Sequence, residues 1–393
     1  MKSGLHMSDK DEFQGLMTMQ PDVRFVNVKP EEDPEDVAES VMLYLSQFCP
    51  NVDHLKTTLI LGDIISFKQG YVNLTVLEIV FDQHFYCRAP TKEEQQARRA
   101  FIDSAIIHVT SLPKLSVLEI KDSAVGDDRD EASRVDEWNE MLVLKSLEMF
   151  DTGDNFVNKL IKYCPEILTN VYLHDISSEG IAVLMRDERF PNLNAVGFEL
   201  CEFSQEEMSK FVLQFGSQLE YLHIKHTEFM PVHMRQLTDL KPSKLKVFEF
   251  CQRESCQYVD LEFGGELTRF IRQNGGQLTR LNLGGKFLND LILEEILENC
   301  PLLIEQGEWD FTGWGGGEIS PRGFYNFVDK AGPTLKVLLN IPLDEEIMSN
   351  GYIEEIAWNC PNIEVLALLS YSMLRERLAR NLKKMKSKYL KNS

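Results

Sequence analysis

Hydrophobic residues recur along the chain in one short pattern, apolar-x-x-apolar-x-apolar, which residues 363–368 show most clearly. The last two apolar positions are separated by one residue, as in a strand that buries alternate side chains. A proline, which cannot continue a helix, stands two residues before the first apolar position, as Pro361 does before Ile363. The pattern therefore predicts a structural unit that consists of a helix, a turn and a short strand.

Twelve copies of this unit can be identified, and their first apolar positions are Val52, Leu74, Leu115, Leu144, Leu168, Leu193, Leu219, Leu245, Leu278, Leu303, Leu335 and Ile363. The mean spacing of about 28 residues is typical of leucine-rich repeats that contain a helix. Seven of the fifteen prolines stand at the same position of the repeat, two residues before its first apolar residue, counted from Ile167 in the fifth repeat. In residues 215–219 and 274–278 a glycine or serine replaces the proline at the point where the helix is predicted to end. We therefore predict an α/β leucine-rich-repeat solenoid, curved into an arc or horseshoe, with parallel strands on the inner face and helices outside.

Four repeats carry the dipeptide Cys-Pro where the helix is predicted to end, at Cys49, Cys164, Cys300 and Cys360. The segments Tyr-Cys-Pro, Asn-Cys-Pro-Leu and Asn-Cys-Pro-Asn-Ile resemble the cysteine-containing leucine-rich repeats of F-box/leucine-rich-repeat proteins, the substrate receptors of cullin-type ubiquitin ligases. The resemblance covers about residues 40–370 and implies a substrate-recognition subunit that binds a ligase adaptor. No F-box is recognisable before the repeats, so a stand-alone leucine-rich-repeat scaffold or adaptor is the alternative.

The pattern divides the chain into three parts. Residues 1–33 show no sustained periodicity and are predicted to be a flexible lead-in, and residues 34–370 form the predicted solenoid. Residues 371–393 contain eight Lys or Arg and one Glu, with apolar residues at helical spacing. This segment is predicted to be a basic capping helix on the last repeat, with nuclear targeting or contact with an acidic surface as the alternative.

Charge and composition argue against several classes of function. A net charge of −21 argues against a nucleic-acid groove, which needs clustered Lys and Arg. No apolar run approaches the roughly 20 residues of a membrane span. The eight cysteines suggest buried core residues in a reducing compartment, the cytoplasm or nucleus. We expect that the chain binds a protein partner, that it has neither a cofactor nor catalytic activity, and that it is a monomer when no partner is bound.

The side chains between the strand leucines should point away from the helices, and together they form a candidate binding surface. Glu78, Glu119 and Glu148 occupy the same strand position in three consecutive repeats. Carboxylates stacked at a strand spacing of about 4.8 Å repel unless a cation lies across them. The face is therefore either a solvated surface or a docking site for a basic segment of a partner. Further candidate contacts on this face are Phe150, Tyr172, Tyr221, His223 and Glu249.

Two other features have weaker functional interpretations. Trp309 and Trp314 stand in a glycine-rich stretch that is predicted to be a loop, where they either contact a partner or pack against the next helix. His223 and His226 could meet Cys251 and Cys256 across adjacent repeats, but the spacing does not fit a zinc motif. The sequence contains no nucleophile-elbow, kinase or dinucleotide-binding motif, and we predict that the protein is not an enzyme.

Overall fold

The computed structural model describes residues 4–7, 25–28, 51–59, 73–81, 107, 109, 111–121, 143–150, 154–177, 181–182, 184–185, 189–251, 261–283, 287, 289–306, 320–342, 356 and 358–369. For residues 4–7 and 25–28 the backbone alone is described. The chain forms two compact units, Met1–Leu193 and Asn194–Ser393, which we call unit 1 and unit 2.

The described part of unit 1 contains seven strands and one helix. The strands are β1 (Gly4–Met7), β2 (Phe25–Val28), β3 (His54–Leu59), β4 (Val76–Phe81), β5 (Val117–Lys121), β6 (Ser146–Phe150) and β7 (Asn170–His174), and the helix is α1 (Asp154–Tyr163). Each strand pairs in parallel with the next strand along the chain. Parallel neighbours cannot be joined by a tight hairpin, so each connection crosses back to the starting edge, as a repeat requires.

The described part of unit 2 has seven strands and five helices. The strands are β8 (Ala195–Glu199), β9 (Tyr221–Lys225), β10 (Val247–Cys251), β11 (Arg280–Leu283), β12 (Glu305–Gln306), β13 (Val337–Pro342) and β14 (Val365–Leu369). The helices are α2 (Gln205–Phe215), α3 (Pro231–Asp239), α4 (Leu261–Asn274), α5 (Asp290–Asn299) and α6 (Pro321–Ala331). The strands again pair in parallel and in chain order.

The apolar pattern determines which side of each strand is buried. In β9, Leu222 and Ile224 have no exposed surface, whereas Tyr221, His223 and Lys225 are half-buried. Strands β6, β7 and β10 show the same alternation. Parallel strands in chain order, alternating burial and intervening helices are the features of an α/β leucine-rich-repeat solenoid, and the predicted fold class is confirmed.

A repeated backbone arrangement joins neighbouring repeats where their strands begin. The carbonyl oxygen of Asp53 accepts hydrogen bonds from the N–H groups of both Thr75 and Val76, at 2.8 and 3.0 Å. The Thr75 hydroxyl donates to the same oxygen at 2.9 Å. The shared acceptors in later repeats are the carbonyl oxygens of Thr75, Ser116, Lys145, Asn194, Glu220, Lys246 and Ile304. These bonds fix the register that places equivalent residues of successive strands side by side.

Phenylalanines connect the strands of unit 2 to its helices. The ring centroids of Phe198 on β8 and Phe211 on α2 lie 5.0 Å apart, and those of Phe248 on β10 and Phe270 on α4 lie 4.9 Å apart. All four rings are almost completely buried. Such aromatic pairs combine a large buried area with favourable ring geometry. The helices therefore cover the side of the strands that carries the apolar pattern, and the half-buried side chains face the other way.

The cysteines of the Cys-Pro pattern are buried at helix ends, as predicted. The exposed fractions of Cys164, Cys300 and Cys360 are 0%, 6% and 2%. Burial raises the pKa of the Cys164 and Cys300 thiols to about 12 and that of Cys360 to about 11. These thiols therefore remain protonated and act as small apolar core groups. Cys49 lies outside the described residues.

Glycines stand where helices end, as predicted for residues 215–219 and 274–278. Gly216 and Gly332 end α2 and α6 with φ of −52° and −50°, so neither is a left-handed cap. At Gly275, a Cβ atom would lie 2.8 Å from both the Asn299 carbonyl oxygen and the Cys300 Sγ. Glycine is needed there because the helix end of the next repeat packs directly against its backbone.

The beginning of the chain differs from the expected lead-in at two segments. Strands β1 and β2 pair in parallel, and β2 pairs with β3. Each has only four residues, too few for the periodic pattern to stand out, and sheet pairing with distant residues supplies the remaining order. Residues 371–393, Trp309 and Trp314 lie outside the described residues.

Candidate protein-binding site

The three glutamates predicted to share one strand position lie side by side in unit 1. The parallel register places Glu78 beside Glu119 and Glu119 beside Glu148. Their side chains are half-buried, on the side of the strands opposite the buried leucines. We call Glu78, Glu119 and Glu148 the acidic row. Like charges in neighbouring strands repel each other, so the row favours a cation beside it.

Two side chains of β3 contact the first member of the acidic row. Lys56 Nζ lies 2.5 Å from Glu78 Oε2, and His54 Nε2 lies 2.8 Å from Glu78 Oε1. Burial raises the pKa of Glu78, but the hydrogen bonds from Lys56 and His54 outweigh it and hold the pKa below its ordinary value. The hydrogen bond to Glu78 raises the pKa of Lys56, and the charge of Glu119 adds to this effect. The chain itself therefore supplies a cation, Lys56, to the first carboxylate of the acidic row.

Aromatic side chains border the acidic row on its β7 side. Tyr172 continues the row beyond Glu148, and Phe150 and His174 stand side by side in the next register row. The ring centroids of Phe150 and Tyr172 lie 5.3 Å apart, and those of Phe150 and His174 lie 5.8 Å apart. We call Phe150, Tyr172 and His174 the aromatic border. The structure thus brings two predicted anchors, Phe150 and Tyr172, to one end of the acidic row.

Unit 2 holds the remaining predicted glutamate, Glu249, in a different setting. The Tyr221 hydroxyl donates to Glu249 Oε2 at 2.9 Å, and His223 Nδ1 lies 2.7 Å from the same oxygen. Arg280 Nη1 lies 3.5 Å from Glu249 Oε1. Burial raises the pKa of Glu249, but the hydrogen bond and charge of His223, together with Tyr221 and Arg280, hold it below its ordinary value. We call Tyr221, His223, Glu249 and Arg280 the Glu249 cluster.

A shallow concavity lies beside the Glu249 cluster. Lys225, Cys251 and Asn282 contribute to its lining. Asn282 stands next to Glu249 in the register, and its Oδ1 is buried without a hydrogen-bond partner among the described residues. Lys225 Nζ lies 3.0 Å from Glu199 Oε1. The concavity therefore presents polar groups, of which the Asn282 amide oxygen can accept a hydrogen bond.

Within the described residues, no group of three His, Cys, Asp or Glu side chains is arranged to hold a metal ion. His223 directs Nδ1 at Glu249, and the backbone N–H of His226 donates to the Cys251 carbonyl oxygen at 2.6 Å. Cys256 lies outside the part of the chain that the structure describes. Among the described helices, none is both long and apolar enough to cross a membrane.

Sequence reasoning missed four side chains of these faces, and the repeat register could have found each of them. Lys56 occupies the position of Glu78 in the preceding repeat, and His54, His174 and Arg280 lie two residues away from that position in their own strands. Side chains two residues apart in a strand point to the same face. Applying the same offsets in every repeat would therefore have identified all four.

No protein-family model matches the chain, and no curated protein is significantly similar to it. An internalin from Listeria monocytogenes is similar in structure, with 12% identity and a TM-score of 0.39, over 90% of this chain and 82% of the internalin. The leucine-rich-repeat-containing protein LegL7 from Legionella pneumophila has 11% identity and a TM-score of 0.44, over 83% of this chain and 97% of LegL7. For the complex of Rad7 and Elc1 in yeast, the identity is 16% and the TM-score 0.40, over 57% of this chain and 63% of the matched chain. The chain thus spans less than two thirds of the chain that it matches in the yeast complex.

Proposed function

We propose that the chain is a non-catalytic interaction module that binds a partner protein on the acidic row and aromatic border of unit 1. The observation that carries the proposal is the placement of three carboxylates in successive strands beside aromatic rings. Adjacent like charges disfavour strand pairing by roughly 0.2–1 kcal/mol each, a cost that a basic partner would offset. The rings add the amphipathic contact area that is enriched at the centres of protein interfaces.

A partner segment that presents Lys or Arg suits this face. The net charge of −21 attracts basic surfaces at low salt and accelerates their encounter with the protein. The contact of Lys56 with Glu78, at 2.5 Å, is an example within the chain of a cation held by the acidic row. We infer that cations of the partner extend the same arrangement along Glu119 and Glu148.

The test uses a variant that removes the charge of the acidic row and keeps its shape, with Glu78→Gln, Glu119→Gln and Glu148→Gln combined. The probe is a fluorescently labelled peptide in which Lys and Arg alternate with Gly and Ser, and its affinity is measured by fluorescence anisotropy. Each solvated charge pair contributes about 0.2–1 kcal/mol, so the triple variant should bind about tenfold more weakly.

A second triple variant controls for the change in net charge. Glu166, Glu202 and Glu228 are exposed and lie outside the acidic row. Their combined replacement by Gln alters the net charge equally and should leave the affinity of the peptide almost unchanged. An equal loss in both variants, or no loss in either, would overturn the proposal. Thermal unfolding of each variant verifies that it is folded.

A narrower function is that of a substrate receptor in a cullin-type ubiquitin ligase. The observation that favours it is the burial of Cys164, Cys300 and Cys360 at helix ends, the positions on which the resemblance to F-box/leucine-rich-repeat proteins rests. In that role the repeats would bind the protein to be modified, and another segment would bind the ligase adaptor. Affinity purification of the full chain, probed for a cullin and its adaptor, tests this. Recovery of both supports the ligase function, and their absence favours a stand-alone scaffold.

A further inference from the structure

The first carboxylate of the acidic row is bound on both of its oxygens by side chains of the preceding strand. Lys56 Nζ lies 2.5 Å from Glu78 Oε2, and His54 Nε2 lies 2.8 Å from Glu78 Oε1. The exposed fraction of the Glu78 side chain is 18%, whereas those of Lys56 and His54 are 32% and 30%. Glu78 is thus more enclosed than the two side chains that bind it. A partner cation that approaches Glu78 therefore has to share it with Lys56 and His54.

The charge of Lys56 also acts beyond Glu78. Burial lowers the pKa of Lys56, but the hydrogen bond to Glu78 and the charges of Glu78 and Glu119 outweigh it and raise the pKa. Electrostatic interaction is mutual, so Lys56 in turn makes the potential at Glu119 less negative. Glu119 stands two strands away from Lys56, a separation of roughly 10 Å, which is about the Debye length at 0.1 M salt. A cation that a partner places at Glu119 is therefore repelled by Lys56 at low salt.

Unit 2 contains a pair of the same geometry in a different row. Lys225 stands beside Glu199 in the register of β8 and β9, as Lys56 stands beside Glu78 in that of β3 and β4. Lys225 Nζ lies 3.0 Å from Glu199 Oε1, and the exposed fractions of these side chains are 28% and 18%. The next residue in the row of Lys225 is Cys251, whereas two further carboxylates follow Glu78. The two lysines are thus similarly placed, and only Lys56 belongs to the acidic row.

We propose that Lys56 competes with the partner's cations for the acidic row and so limits the affinity for a basic partner, an inference that rests on the proposed function. The ammonium group of Lys56 neutralises Glu78 before any partner arrives. A partner cation at Glu119 or Glu148 gains attraction from the row and loses part of it to repulsion by Lys56. Loss of the Lys56 charge therefore strengthens the binding of a basic segment, although it removes an ion pair from the chain itself.

A neutral variant of Lys56 tests the inference. Lys56→Met removes the charge and keeps an unbranched side chain. Its affinity for the labelled peptide in which Lys and Arg alternate with Gly and Ser is measured by fluorescence anisotropy, with the full chain at low salt. We expect the variant to bind about threefold to fivefold more tightly than the wild type, and the gain should shrink at high salt. An unchanged or lower affinity would overturn the inference.

Two further variants separate the local charge from other effects. Lys225→Met changes the net charge equally and removes the similarly placed cation of unit 2, so it should leave the affinity almost unchanged. Lys56→Arg keeps the positive charge and should bind the peptide as the wild type does. An equal gain in Lys56→Met and Lys225→Met would assign the gain to net charge and overturn the inference. Lys56→Gln repeats the test if Lys56→Met fails to fold in a thermal unfolding experiment.

Failure of the inference and failure of the proposed function give different results. If Lys56→Met leaves the affinity unchanged while the triple variant of the acidic row weakens binding, the competition by Lys56 is wrong and the proposed function stands. If the peptide binds neither the wild type nor Lys56→Met, the proposed function itself is wrong. A gain in Lys56→Met together with a loss in the triple variant supports both.

Discussion

In three successive strands of unit 1 the half-buried middle position is a glutamate, whereas in unit 2 Glu249 stands at that position between His223 and Asn282. In unit 2, Tyr221, His223 and Arg280 surround the Glu249 carboxylate. In unit 1, the same register row runs from Lys56 through three carboxylates to Tyr172. The same repeat position thus carries one carboxylate among three donors in unit 2, and three adjacent carboxylates, the first of them bound by Lys56 and His54, in unit 1.

The comparison separates a stabilising role from a binding role at one position of the repeat. The repeat determines where the side chain lies, because register and burial are the same in both units. It does not determine what surrounds the side chain. The Glu249 carboxylate has three donors around it and contributes to folding, whereas adjacent carboxylates repel one another, which lowers their contribution to folding and favours a basic partner.

The largest expected effect is on the free energy of unfolding of two matched variants. Glu249→Leu removes the acceptor of Tyr221 and His223 and the charge opposite Arg280, and we expect a loss of about 1–3 kcal/mol. Glu119→Leu also relieves the repulsion by Glu78 and Glu148, which offsets part of what the carboxylate contributes, so we expect a smaller loss, below about 1 kcal/mol. Denaturant unfolding measures both. Equal losses in the two variants would abolish the distinction between the two units.

Acid should weaken the Glu249 cluster by a smaller amount, because a protonated carboxyl group keeps part of its hydrogen bonding. The folded-state pKa of Glu249 lies below the ordinary value of 4.5, so the unfolded chain binds protons first. The stabilisation is therefore complete above about pH 4.5 and is lost as the pH falls through the folded-state pKa. Denaturant unfolding between about pH 3 and pH 6 should show a shallower decline for Glu249→Leu than for the wild type. Parallel declines would contradict this assignment.

The smallest expected effect concerns His233 on α3, which is buried in unit 2 away from the strand face. Its Nδ1 accepts a hydrogen bond from the Met230 N–H at 2.9 Å, and its Nε2 donates to the Gln205 carbonyl oxygen at 3.0 Å, which fixes the neutral form. Burial lowers the pKa of His233, and the bond to Gln205 partly offsets this. The stabilisation should be complete above the ordinary value of 6.5 and decline as the pH falls below it. His233→Gln should lack this decline in denaturant unfolding near pH 6, and an unchanged decline would assign it to another group.

Most of the fold could be predicted because the repeat signal is local. Buried residues such as Leu77 and Ile79 alternate with half-buried ones within a single strand, and the sequence shows this directly. Strands β1 and β2 could not be predicted in this way, because four residues carry too little periodicity. The helix-end role of Gly275 depends on the backbone of the next repeat, which no local pattern contains.

The sequence predicts which side chains of the site lie side by side in neighbouring strands, but it does not predict which of them form hydrogen bonds or ion pairs. Once the repeats are aligned, Glu78, Glu119 and Glu148 must be lateral neighbours, because successive strands pair in parallel and in register. Which donors reach a carboxylate depends instead on side-chain rotamers and diagonal contacts, as with Arg280 and Glu249. The contact of Lys56 with Glu78 is a further pairing that the alignment of the repeats alone does not predict.

Carboxyl labelling of the protein, with and without the peptide in which Lys and Arg alternate with Gly and Ser, tests the central claim most directly because one experiment reports on every carboxylate. The carboxylates are coupled to glycine ethyl ester with a carbodiimide, and mass spectrometry measures the rate at each residue. Our account predicts that the peptide slows labelling of Glu119 and Glu148 several-fold and leaves Glu249 and the exposed Glu166 unchanged. Slower labelling of Glu249, with Glu119 and Glu148 unaffected, would contradict the assignment of the binding face to unit 1.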